Sequence, residues 1–179
     1  MKIPENKTLQ ELFEWRFSRT PDSVAHKFLD RETTYKELNN YSNQVANGLI
    51  ELGCKPDTRI AYYGKNSDFF FEVLIGTLKS NTVTVGVNWR LAPPEVSYVL
   101  NDAESEVLFV GADFYPVIDQ ILEDLPKIKK VVAIDGDHEN YQDYISWRNS
   151  QNSANPEIKS SPNDDCLLYT SDAADEHGC

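Results

Sequence analysis

The chain has 179 residues, enough for one hydrophobic core, so one domain or a piece of a larger one is expected. Hydrophobic residues make up 40% and mean hydropathy is −0.50, the composition of a folded chain rather than a disordered one. A net charge of −12 argues against a generic nucleic-acid binder, and no apolar run approaches the roughly 20 residues that span a bilayer.

The predicted elements alternate. Thr8 and Glu11 have the spacing of a capping box and open a helix over 8–18, with Leu9, Leu12 and Phe13 as its apolar stripe. A β-rich run comes next at 24–29. Thr34 and Glu37 form a second capping box; Leu38, Tyr41, Val45, Leu49 and Leu52 then recur at helical spacing, and Gly53 ends the helix. A strand at 59–63 leads through Gly64-Lys65-Asn66-Ser67, with Ser67 as N-cap, into a helix over 68–80. The strand at 82–87 is followed by Asn88-Trp89-Arg90 and a short helix opening at Pro93-Pro94, where a missing N–H costs nothing. A strand at 106–110, a helix over 114–125 capped by Asp113, a strand at 130–134 and a helix over 141–149 complete the pattern. Residues 150–165 are rich in Asn, Ser and Pro and read as a surface loop.

The last four strand runs are almost continuously apolar, as strands buried on both faces are. The fold class is therefore α/β: a doubly wound, mostly parallel sheet with helices on both faces. In such sheets ligands bind beyond the carboxyl ends of strands. Arg90 lies at such an end, where its guanidinium could grip a phosphate with two parallel bonds or join a surface salt bridge. The turn before Ser67 precedes a helix N-terminus and could attract an anion, but a plain strand-to-helix turn is preferred. His26 reads as a structural or surface histidine, His138 as part of a solvated charged turn, and His177 lies in the acidic tail. No catalytic residue, nucleophilic triad, dinucleotide fingerprint, Walker loop or metal-ligand cluster is evident. Cys54, Cys166 and Cys179 form no disulfide framework, and the N-terminus has no apolar signal segment, so a reducing, cytoplasmic setting is expected.

Several stretches carry a family pattern. Thr34-Tyr35-Lys36-Glu37-Leu38, Ser42-Asn43 and Ala46-Asn47-Gly48-Leu49 are followed by Arg59-Ile60-Ala61 and Asn66-Ser67. Then come Leu78-Lys79, Val87-Asn88-Trp89-Arg90-Leu91-Ala92-Pro93-Pro94-Glu95 and Tyr98-Val99-Leu100-Asn101-Asp102. In order and spacing these resemble the N-terminal segment of the adenylate-forming acyl-CoA synthetases and ligases, with the NWRLAPPE form similar to the fatty-acid branch. The resemblance implies that residues 1–165 are the front, incomplete part of that family's large N-terminal domain. It implies a parent that uses ATP, magnesium and coenzyme A to activate a carboxylic acid, in which Arg90 approaches a coenzyme A phosphate. Thr170 and Ser171 match the start of the family's phosphate loop only if the tail is native.

Beyond Ser171 the sequence departs from that loop. Asp172-Ala173-Ala174-Asp175-Glu176 stands where glycines and a lysine should wrap a polyanion, and like charges repel. Residues 166–179 also resemble one reading frame of a transposon-end adaptor used in sequencing libraries. The last sixteen residues hold five acidic side chains and no Lys or Arg, so without them the charge is −7. Three expectations stand side by side: a severed front of an acyl-CoA synthetase, inactive alone, binding no cofactor and prone to self-association; a non-catalytic α/β binding module; or an assembly artefact.

Overall fold

The computed structural model describes residues 8–169. Helices α1 (Leu9–Arg19) and α2 (Tyr35–Glu51) start at the reciprocal caps. Thr8 Oγ1 accepts the Glu11 N–H at 3.2 Å, and Glu11 Oε2 accepts the Thr8 N–H at 3.0 Å. Thr34 and Glu37 repeat the exchange at 3.2 and 2.8 Å. Helix α2 ends where Gly53 takes φ +82°; the Cys54 N–H then reaches Leu49 O and the Gly53 N–H reaches Ile50 O, which satisfies carbonyls the helix leaves free. Between the two helices, β1 (Val24–Phe28) and β2 (Arg31–Thr34) form an antiparallel hairpin apart from the main sheet. The run at 24–29 is thus a strand outside the parallel layer, and its partner is too polar to have been legible.

The remaining chain alternates through β3 (Arg59–Tyr63), α3 (Asp68–Ser80), β4 (Val83–Val87), α4 (Pro93–Asp102), β5 (Val107–Gly111), α5 (Tyr115–Ile121), β6 (Lys130–Ile134), β7 (Gln142–Asp143), α6 (Tyr144–Asn149) and β8 (Leu167–Tyr169). The strands form one sheet in the order β7-β6-β5-β3-β4-β8, and every pairing is parallel. The expected doubly wound architecture is present. Ala61, Tyr63, Leu108, Val110 and Ala133 face α4 and α5. Their neighbours Ile60, Tyr62, Val107, Phe109 and Val132 face α2, α3 and α6. Both strand faces are buried, which is why these runs are apolar without alternation. The helices after β3 and β5 lie on opposite faces, so the chain reverses its winding at the carboxyl ends of these adjacent strands.

Three local readings change. Asp113 does not cap a helix: residues 112–114 form a 3₁₀ turn, α5 begins at Tyr115, and the Asp113 carboxylate accepts from Lys65 Nζ at 2.7 Å. Pro116, with its fixed φ and missing N–H, sets that start. Helix α6 opens later than residue 141 because Asp143 accepts the Ser146 N–H at 2.7 Å as its N-cap, after β7 has joined the sheet. Ser67 occupies the N-cap position of α3, but its hydroxyl pairs with Tyr62 Oη at 3.1 Å instead of the helix N-terminus.

Candidate binding site at the carboxyl edge of the sheet

Residues 88–91 make a tight turn immediately after β4. Asn88 Oδ1 accepts the Arg90 N–H at 3.0 Å, and Asn88 O accepts the Leu91 N–H at 3.2 Å. Asparagine suits this place because its short side chain replaces a backbone turn bond. Helix α4 then starts at Pro93, with Glu95 Oε2 accepting the Ala92 N–H at 2.7 Å; alanine has no side-chain acceptor to complete the box. The turn therefore projects Trp89 and Arg90 at the sheet edge from two rigid elements.

Two cations lie close to the Trp89 ring. The Arg90 guanidinium lies 4.2 Å from its ring centroid and Lys65 Nζ lies 5.8 Å from it. Phe114 packs beside it at 6.5 Å and against Tyr63 at 4.8 Å. Lys65 is neutralised by Asp113, whereas Arg90 has no ion-pair partner among the described residues and is exposed. Among the described residues no salt bridge occupies Arg90, which leaves its fork of donors open to an anion. Next to Trp89 opens a cleft of about 380 Å³ lined by Tyr62, Asn66, Phe70, Phe71, Val87 and Asn88. It is mostly apolar, with four aromatic side chains and the Asn66 and Asn88 amides, and suits a ligand with an apolar or planar part and an anionic end.

A second crevice lies between the ends of β3 and β5, where the winding reverses. Gly64 and Gly111 lie side by side there, and a Cβ on Gly64 would make ordinary van der Waals contact with Gly111 N at 3.5 Å. Its rim carries Arg31, which binds both Asp68 oxygens at 2.7 and 2.8 Å and ties the hairpin to α3. Burial works to raise the Asp68 pKa, but the Arg31 hydrogen bonds and charge outweigh it, and the carboxyl sits below its usual range. Asp135, 3.8 Å from Arg31, is raised by burial despite that cation. Two carboxylates against one arginine leave this rim net negative, a poorer anion site than the Arg90 edge.

The histidines take structural places. His26 stacks on Phe71 in the hairpin, and burial depresses its pKa. His138 is not in a solvated turn: its ring stacks on Tyr141 at 3.9 Å and its Nε2 meets Asp119 Oδ2 at 3.2 Å. His177, Thr170 and Ser171 lie outside the described residues. Among the described residues no group of three His, Cys, Asp or Glu side chains could hold a metal, and no helix is long and apolar enough to cross a membrane. Asp113 and Phe114 do not stand out from sequence as site residues, and Lys65 does so only as part of the turn before Ser67, because they reach the edge after β3 and β5, far from Arg90 along the chain. The local signals are that turn and the adjacency of Trp89 and Arg90.

The AMP-binding enzyme family model matches residues 13–171. The chain belongs to the AMP-binding enzyme family. Among AMP-binding relatives, the fatty acid–[acyl-carrier-protein] ligase ScoC of Streptomyces coeruleorubidus is 33% identical over 86% of this chain and 28% of its own length. The long-chain-fatty-acid–CoA ligase FadD13 of Mycobacterium tuberculosis is 40% identical over 51% of this chain and 18% of its own. In three dimensions the anthranilate CoA ligase AuaEII, solved with anthranoyl-AMP, superposes with a TM-score of 0.86 at 29% identity, over 94% of this chain and 33% of that one. A Mycobacterium tuberculosis fatty acyl CoA synthetase does so at 0.81 and 27%, over 90% of this chain and 32% of that one. The chain thus spans about a third or less of these AMP-binding proteins, and it aligns with adenylate-forming acyl ligases.

Proposed function

We propose that the parent of this chain is an ATP-dependent acid–thiol ligase that activates a fatty or related carboxylic acid. Its carboxylate would attack the α-phosphorus of ATP, with magnesium, to give an acyl-adenylate and pyrophosphate; the coenzyme A thiolate would then displace AMP. Adenylation is needed because a free carboxylate has no good leaving group. The observation that carries the assignment to this chain's own residues is Arg90: a guanidinium with no counter-ion among the described residues, close to the Trp89 ring at the end of a parallel strand. It would hold a phosphate of the coenzyme A nucleotide through two parallel hydrogen bonds. Trp89 and the aromatic cleft offer a surface for planar or apolar parts of a ligand.

The residues present fit that anion and do not fit the triphosphate. After Tyr169 the sequence supplies Thr170 and Ser171 but then three carboxylates, not a glycine-rich cradle with a lysine. The 179 residues by themselves are therefore inactive in adenylation, and no step through ATP or magnesium is assigned to them. The outer edge of β8 has no strand partner among the described residues, so the isolated chain is expected to self-associate.

Rereading the source DNA past the codon for Asp165 is the first test. A glycine-rich Thr-Ser-Gly loop continuing into a full-length ligase supports the reading, and its absence from the native gene overturns it. In that full-length enzyme, Arg90→Ala should raise the KM for coenzyme A about tenfold and leave ATP–pyrophosphate exchange unchanged. An unchanged KM would remove Arg90 from the coenzyme A site.

A further inference from the structure

Residues 151–160 run from α6 towards β8 with no helix or strand of their own, yet side-chain amides hold them down. Asn43 Nδ2 donates to Ser153 O at 2.9 Å, and Gln44 Nε2 to Gln151 O at 3.2 Å. Asn47 Nδ2 donates to Asn152 O at 2.7 Å and to Ala154 O at 2.8 Å. Further along, Gln10 donates to Ile158 O at 2.8 Å and accepts the Ser160 N–H at 3.2 Å, like one rung of a strand ladder. This segment carries the chain across α2 and α1, from one sheet edge to the other, where β8 pairs with β4.

An asparagine amide has two ends, and which one faces outward must be decided by its neighbours. For Asn43 the neighbour is Lys79 of α3. Lys79 is 1% exposed, and its Nζ donates to Asn43 Oδ1 at 2.6 Å and to Asn39 Oδ1 at 2.8 Å. No carboxylate pairs with it among the described residues; the Phe17 ring lies 5.4 Å away, and the charge acting on it is Glu14 of α1. An ammonium has only donors, so Asn43 must turn its oxygen inward and its NH₂ outward to the Ser153 carbonyl. A buried cation without a counter-ion is costly, and this geometry gives it a purpose.

We propose that Lys79 is a positioning residue: it locks the Asn43 amide in the orientation that clamps residues 151–160 onto α2, and thereby sets where β8 lies beside β4. The clamp does not rest on the ligase reading above.

Hydrogen–deuterium exchange on the 179-residue chain tests it, with Lys79→Met, Asn43→Ala and the double variant, and without ATP or coenzyme A. Lys79→Met should speed exchange over 151–160 and β8 about tenfold, the effect of losing one clamp hydrogen bond. Protection of the sheet core should hold or rise, since a buried charge is gone. Asn43→Ala should open the same segment, and the double variant should exchange no faster than Asn43→Ala. A merely structural lysine would move the clamp and the core together; that result, additive effects, or an unchanged clamp overturns the proposal. If Lys79→Met does not fold, Asn43→Ala decides: a clamp that stays closed overturns it.

Discussion

Lys79 also makes the stability of this protein rise with pH. Burial lowers its pKa from 10.5 to about 8, against the attraction of Glu14. Because the folded-state value is depressed, the native state sheds its proton first, and the unfolded state binds more protons between the two values. Stability therefore increases as pH rises from about 8 towards 10.5. The full span is worth about 3 kcal/mol, of which about 2 kcal/mol should appear between pH 7 and pH 9.5. From about pH 9 other buried groups oppose the trend: burial raises the Cys54 thiol to about 11 and Tyr62 and Tyr115 to about 12, so each ionises first in the unfolded chain. Lys79→Met abolishes the lysine contribution but orphans the Asn39 and Asn43 oxygens, at about 1 kcal/mol each. The variant should thus be about 1 kcal/mol more stable than the parent at neutral pH and about 1 kcal/mol less stable near pH 9.5. Urea denaturation of both proteins across this range measures the difference. Parallel stability–pH slopes for the two would refute the reasoning.

Other sites respond to packing and charge. Glu72 is buried with Arg148 Nη1 and Tyr144 Oη both 2.7 Å from one of its oxygens, and burial raises its pKa despite Arg148. Glu72→Met should cost about 3–5 kcal/mol by stranding the Arg148 charge, and adding Arg148→Met should recover most of it; a double variant no better than the single one contradicts this. Gly76 marks the closest approach of α2 and α3, where a Cβ would lie 2.5 Å from Val45 Cγ1 and 2.6 Å from Val45 Cβ. Gly76→Ala should lower stability by roughly 1–3 kcal/mol although alanine is the better helix former by about 1 kcal/mol, and an unchanged urea midpoint would count against it. Glu104 ends α4 at φ +50° with its N–H on Asn101 O, a place that favours glycine. Glu104→Gly should raise the thermal midpoint, by about 0.5–1 kcal/mol in stability, unless loss of the exposed Lys127 pair outweighs the relief, which a lower midpoint would reveal.

Much of the architecture was legible because its causes are local. The capping boxes at Thr8 and Thr34, Gly53 and the prolines at 93–94 act within one turn, and their elements stand where they were expected. Strand β2 was hidden because its residues, Arg31–Thr34, are mostly polar and owe their conformation to β1. The reading of Asp113 as a cap failed because Lys65, from a neighbouring strand, competes for its carboxylate. Residues 150–165 did read as a loop, yet nothing local reveals that amides from α1 and α2 fasten them.

The candidate site divides the same way. The run Asn88-Trp89-Arg90 after an apolar strand marks Arg90 as an anion contact or a surface salt bridge, since strand period, turn chemistry and residue type are all properties of neighbours in sequence. That Lys65 meets Asp113 while Arg90 has no counter-ion among the described residues, and that both cations reach one indole, depends on the order of β3, β4 and β5 in the sheet. The buried Lys79, Glu72 and Arg148 are the extreme case. Each is a single charged residue on a helix, a type ordinarily solvent-facing, and hydropathy cannot show which polar side chains a second helix will enclose. Only packing brings Asn39, Asn43 and Tyr144 to them, and only burial turns those contacts from weak surface pairs into interactions strong enough to set stability and position.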